Sequence, residues 1–504
     1  MKFKLIGTLF LIALVSAKYD TQAQTGQSSS VTNSRKIQPD KTVTTTHTAS
    51  VKGKSIAFKA TTGTQPVWDE DDKPIAAVHY TYYERTDIKD KARRPLVISF
   101  NGGPGSGSVW MHLAYTGPMI LKVDDEGFPV QPYGVRDNPN TILDVADIVF
   151  VNPVNTGYSR ILDKEVPKEK FFGVEADIEY LAEWINTFVT RVNRWESPKY
   201  LIGESYGTTR VSGLALELQE NQWMYINGVI LVSPVPLGVK RDGPVGYATR
   251  LPYFTAAAWS HNKLPETLQN KDLGEILPEV EAYAIDELIP VLAKGGFATD
   301  TDKKCAAEKI SYYSGISEKA ILQHHLMIPN AFFWKELLRD EGYTVGRLDS
   351  RYKGIDRMSA GTRPDFNSEL TSWLHAFTPA INYYYKNVLK YETDVKYNMF
   401  GPVRPWDRST DNTGEDLRKA MAMNPYMHTM IQSGVYDGAT QYFDAKYTMW
   451  NIDPSGRLKD RMSFKTYRSG HMMYLRNEDL INANEHIREF IRDSTPKEGQ
   501  PAKY

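Results

Sequence analysis

The stretch Tyr200-Leu201-Ile202-Gly203-Glu204-Ser205-Tyr206-Gly207 decides how this chain is read. A short apolar run leads into Gly-x-Ser-x-Gly. Residues 208–219 then carry Val211, Leu214, Ala215 and Leu218 at helical spacing. Strand, tight turn and helix, with a serine at the apex, is the layout that lifts a hydroxyl above the end of a sheet for nucleophilic attack. The flanking glycines fit, because a side chain at either position would crowd the turn. The five-residue pattern also arises by chance; the strand before it and the helix after it make the nucleophilic reading the stronger one.

A serine hydroxyl needs a histidine base, which an acid orients and balances. On a strand–turn–helix scaffold of this kind the acid and then the histidine follow the serine. Of ten histidines, only His471 and His486 lie late enough to leave room for an acid-bearing loop. His486 falls in a helical pattern (Leu480, Ala483, Ile487, Phe490, Ile491) and decorates a surface helix. His471 sits in Arg468-Ser469-Gly470-His471-Met472-Met473, just after the strand expected over 462–467. The acid is expected at Asp437, three residues past Gly434, where an apolar strand starting near His428 runs out into a loop. Asp444 competes, but its helical surroundings (441–450) turn it away; a plain turn role is the alternative for Asp437.

Acyl transfer also needs N–H donors for the oxyanion. One comes from the residue after the nucleophile, Tyr206, and the other from an early glycine-rich loop. The strand Arg94-Pro95-Leu96-Val97-Ile98-Ser99-Phe100 leads into Asn101-Gly102-Gly103-Pro104-Gly105-Ser106-Gly107, which supplies Gly103. A phosphate-cradling loop is the rival reading, but no Gly-Lys-Ser/Thr follows.

Strands are expected over 43–59, 75–83, 97–100, 146–151 and 226–232, with an amphipathic helix over 177–192. This alternation predicts an α/β fold of the α/β-hydrolase type: a mostly parallel central sheet, helices on both faces and an inserted helical cap. The expected division is a signal peptide over 1–23, a flexible linker over 24–42, the first part of the core over 43–237, the cap over 238–424 and the second part of the core over 425–495. Within the cap, Trp373 and Tyr383-Tyr384-Tyr385 either line a pocket or pack within a helix pair.

Four blocks together resemble the serine carboxypeptidase family, and within it a bacterial secreted branch: 101–105, Asn152-Pro153-Val154-Asn155-Thr156-Gly157-Tyr158-Ser159, 203–207, and the Asp437 and His471 segments. The glutamate before the serine is the most specific feature. The resemblance implies removal of single residues from peptide or protein C-termini through an acyl-enzyme, with no cofactor and no metal. It also implies that Asn101 and Glu204 grip the substrate's terminal carboxylate. A carboxylate can accept from Glu204 only while Glu204 is protonated, so acidic pH is expected to favour activity. An esterase, an acyltransferase or an inactive peptide-binding relative is the alternative. Two positions depart from the family pattern. Tyr115 stands where a second acid is usual before Gly117-Pro118, and Ser99 where a tryptophan is usual.

Net charge is −1 with pI about 6.8, so no overall field favours nucleic acid or an anionic membrane. The run Asp69-Glu70-Asp71-Asp72 reads as a solvated hairpin tip. A basic start, an apolar run over 5–15 too short to span a bilayer, and small residues at Val15-Ser16-Ala17 or Thr21-Gln22-Ala23 read as an export signal, with no membrane insertion after its removal. The single cysteine, Cys305, excludes an intrachain disulfide and is expected to be buried. Oligomeric state is left open.

Overall fold

The computed structural model describes residues 35–504; the expected signal peptide and the first part of the expected linker lie outside the described residues. Nine strands set the frame: β1 (Thr42–Val51), β2 (Lys54–Trp68), β3 (Pro74–Arg85), β4 (Leu96–Phe100), β5 (Asp147–Val151), β6 (Lys199–Glu204), β7 (Gly228–Val232), β8 (His428–Gly434) and β9 (Met462–Tyr467). They join in the order β1-β2-β3-β5-β4-β6-β7-β8-β9, with a short strand, Arg160–Ile161, on β3. The first three pair antiparallel, and β3 meets β5 antiparallel. From β5 to β9 every pairing is parallel.

All residues of β4, β5, β6 and β7 are buried, as parallel strands covered on both faces must be. Alternation along each strand feeds two separate cores. Tyr200, Ile202, Val97 and Ile230 join one; Leu201, Leu96, Ile98 and Val229 join the other. The first lies under α1 (Val109–Ala114), and the second under α2 (Val174–Arg191) and α3 (Tyr206–Glu220).

Between β7 and β8 lies the long insertion. Its α4 (Leu251–Ser260), α5 (Leu273–Tyr283) and α6 (Asp300–Ser314) bury an apolar cluster of their own. Further along, α7 (Ser368–Tyr383) returns to the α1 side of the sheet and α8 (Thr413–Met423) packs on α3. After β8 come α9 (Tyr442–Ile452), on the α3 side, and, after β9, α10 (Asn477–Ser494), on the α1 side.

Two local expectations are corrected. The strand expected over 43–59 is two strands, because Lys52 and Gly53 (φ 49° and 77°) form a two-residue hairpin turn. Cys305 is exposed on the outer face of α6, not buried. Of the two readings of Trp373 and 383–385, packing holds for Tyr384 and Tyr385, core residues of the sheet's α1 side; Tyr383 faces solvent, and Trp373 lines a cavity. The acidic run 69–72 does form the tip of the β2–β3 hairpin.

Candidate active site

The sheet reverses its direction of growth at β4: β5 is laid on one side of it and β6 on the other. Crevices beyond the carboxyl ends of strands at such a reversal are where parallel sheets bind ligands. Here the loop after β4 and the turn after β6 meet.

Ser205 takes φ 57° and ψ −126°, a conformation L-residues rarely adopt, between β6 and α3. The turn is tight enough that a Cβ on Gly203 would lie 2.1 Å from the Gly207 carbonyl oxygen. A Cβ on Gly102 would lie 2.5 Å from the Tyr206 nitrogen, so the glycine-rich loop abuts the serine turn directly. Among the described residues no backbone carbonyl accepts from the N–H of Gly103 or of Tyr206. Both residues line a cavity of about 340 Å³ together with Ser205, Glu204 and His471.

Asp437, fully buried, lies in the loop after β8, and His471 in the loop after β9. His471 Nδ1 donates to Asp437 Oδ2 at 2.6 Å. That carboxylate also accepts from the N–H groups of Ala439 (2.8 Å) and Thr440 (3.1 Å), with Thr440 Oγ1 2.7 Å from Oδ2. The imidazole is fixed from behind as well. The backbone N–H of His471 donates to the Leu348 carbonyl (2.6 Å), and its backbone carbonyl accepts from Ser233 Oγ (2.7 Å). Nε2 is thereby left for the cavity. Burial disfavours the imidazolium, but the Asp437 carboxylate outweighs it and holds the His471 pKa above its ordinary value. Among the described residues Ser205 Oγ finds no hydrogen-bond partner, a geometry common before substrate binds. Asp444 is elsewhere, paired with Arg241 at the start of α9, and His486 bonds Tyr467 on α10.

Glu204, the last residue of β6 and the one before the serine, is buried. Asn101 Nδ2 donates to its Oε2, and Tyr474 donates to its Oε1 at 2.6 Å. Asn101 is itself held, its Oδ1 accepting from the Met111 N–H at 3.1 Å. Burial pushes the Glu204 carboxyl up to about 7 against those two donors.

The sequence pattern put Tyr115 in the slot of a second acid. Its hydroxyl donates instead to Gln432 Oε1 (2.6 Å), while its ring stacks on Tyr474 at 4.7 Å. Tyr474 and Thr440, which complete the site, were missed. Each lies three residues past a predicted site residue, His471 and Asp437, and that proximity is the only trace they leave in the chain.

Residues 51–266 match the family model for serine carboxypeptidases. Among Arabidopsis thaliana proteins, serine carboxypeptidase-like 5 is 23% identical over 228 residues (44% of this chain, 49% of that protein). Serine carboxypeptidase-like 36 is 30% identical over 169 residues (32% of each). The chain spans about half or less of the length of these relatives. A solved prohormone-processing carboxypeptidase of Saccharomyces cerevisiae superposes with TM-score 0.51 at 15% identity, covering 87% of this chain and 92% of that one, a likeness of fold. The fold is therefore of the α/β-hydrolase type, and its segment 51–266 is similar to serine carboxypeptidases.

Proposed function

We propose that this protein is a serine-type carboxypeptidase acting on peptide or protein C-termini. The observation that carries it is the buried hydrogen bond between Asn101 and Glu204, the residue before Ser205, in a pair that would register a terminal carboxylate next to the nucleophile.

Ser205 Oγ attacks the carbonyl of the last peptide bond as His471 Nε2 takes its proton. Asp437 keeps the Nδ1–H tautomer in place. The N–H groups of Gly103 and Tyr206 stabilise the oxyanion, a contribution of roughly 3–4 kcal/mol per donor where such donors have been removed. Collapse breaks the C–N bond, and the imidazolium protonates the departing amine. Water, activated by His471, then cleaves the acyl-enzyme. The terminal carboxylate accepts from the Asn101 amide and from Glu204 in its protonated form. Ester hydrolysis would share the triad, but a neutral ester end gives the Asn101–Glu204 pair nothing to bind.

No helix among the described residues is long and apolar enough to cross a membrane. The leader-like composition of residues 1–23 supports export, to the periplasm or outside the cell, as in the bacterial branch.

A fluorophosphonate should label Ser205, identified by peptide mapping, and block peptide turnover in parallel. Ser205→Ala should lose both labelling and turnover yet still bind peptide by calorimetry. Label on another residue, or turnover surviving in Ser205→Ala, would remove Ser205 from the mechanism.

A further inference from the structure

Two guanidinium groups line the active-site cavity and play no part in the chemistry above: Arg347 from the insertion and Arg408 from the segment before α8. Among the described residues neither has a carboxylate within ion-pair distance, although the Arg347 charge acts on the buried Glu369 carboxylate; Arg351 and Arg418 are both paired.

Arg347 is tied into the catalytic frame by its backbone. Its carbonyl accepts from the Gly438 N–H (3.0 Å), one residue past Asp437. The adjoining Leu348 accepts from the His471 N–H and donates to the buried Glu369 at 2.8 Å. The side chain therefore projects from a segment held on the His471 side of the cavity, close enough for its charge to oppose protonation of His471. His471 must reach the departing amine, so the residue being released lies on that same side. Arg408 lies on the other side, 5.8 Å from the centroid of the Tyr206 ring. Trp110, Trp373, Leu370 and Phe400 give the cavity apolar walls, which limit the hydration of an ion pair formed within it.

We propose that Arg347 reads the side chain of the released residue and selects a carboxylate there, so that peptides ending in Asp or Glu are preferred. The proposal rests on the carboxypeptidase reading.

The test uses two blocked peptides, identical except for a terminal Glu or Gln, both free acids, at pH 6 and low salt. Because both carry the terminal α-carboxylate, the ratio of their kcat/KM values isolates the side chain. The unaltered enzyme should favour Glu by roughly three- to tenfold, and salt should shrink the ratio. In Arg347→Gln the ratio should fall to near one. Arg347→Lys should keep part of it, and Arg408→Gln should leave it in place. Fluorophosphonate labelling checks that each variant retains its active centre. A ratio near one in the unaltered enzyme, or one that survives Arg347→Gln, overturns the proposal. So does an equal slowing of both peptides by Arg347→Gln, which would put the arginine on the shared α-carboxylate. If either peptide is trimmed without acidic preference, only this proposal falls. If neither is trimmed while Ser205 still labels, the carboxypeptidase reading falls and takes this one with it.

Discussion

At the scale of single residues, the proposed mechanism makes the protonation of Glu204 the condition for holding a substrate carboxylate. Its carboxyl is raised to about 7, so it is protonated below that pH and ionised above it. Activity on free-acid peptides should therefore decline as pH rises through about 7, and Glu204→Gln, which cannot ionise, should lose that decline in its kcat/KM profile. An identical inflection in both proteins would detach Glu204 from substrate binding. Tyr474 and Tyr115 separate cleanly. The Tyr474 hydroxyl stabilises ionised Glu204, so Tyr474→Phe should raise the Glu204 pKa and move the alkaline limb to higher pH. Tyr115→Phe loses only the bond to Gln432 and should leave the limb in place; movement in Tyr115→Phe alone would reverse the assignment. The candidates Ser205, Asp437 and His471 were legible because each follows a strand with a turn signal in fixed chain order. The proton-bearing partner of Glu204 was not. A stacked tyrosine pair decides which phenol reaches the carboxylate, and stacking leaves no mark on spacing.

At the scale of elements, the serine turn and the glycine-rich loop are locked together by one buried arginine. Arg210, in the second turn of α3, donates to Asp177 of α2 (2.7 Å) and to the Asn101 carbonyl (2.7 Å), beneath the rings of Phe100 and Tyr206. Arg210→Met strands the Asp177 carboxylate in the core and should cost about 3–5 kcal/mol in denaturant unfolding. Adding Asp177→Leu should recover much of that loss, because the unpaired charge is gone. Equal stability of the single and double variants would show that the pair carries no such coupling. Helix α2 was expected over 177–192 from its apolar stripe and spans Val174–Arg191. Its role in holding Arg210 was invisible, since Asp177 reads in sequence as one more polar residue near a helix start.

For the whole molecule, the buried parallel strands announced themselves as apolar runs, and the fold class followed from their alternation with helices. The insertion was less legible. Its helical segments look alike in sequence, yet α4, α5 and α6 form a separate core while α7 and α8 cover opposite faces of the sheet. Only tertiary packing distinguishes them. Placement of Arg347 beside His471 depends on that same long-range return. The most direct test of the central claim is mass spectrometry of N-terminally blocked peptides offered as free acids and as C-terminal amides, from acidic to neutral pH. Stepwise loss of single C-terminal residues from the acids alone, strongest at acidic pH, is the predicted result. Equal cleavage of the amides, or hydrolysis of esters with neither peptide form touched, would contradict it.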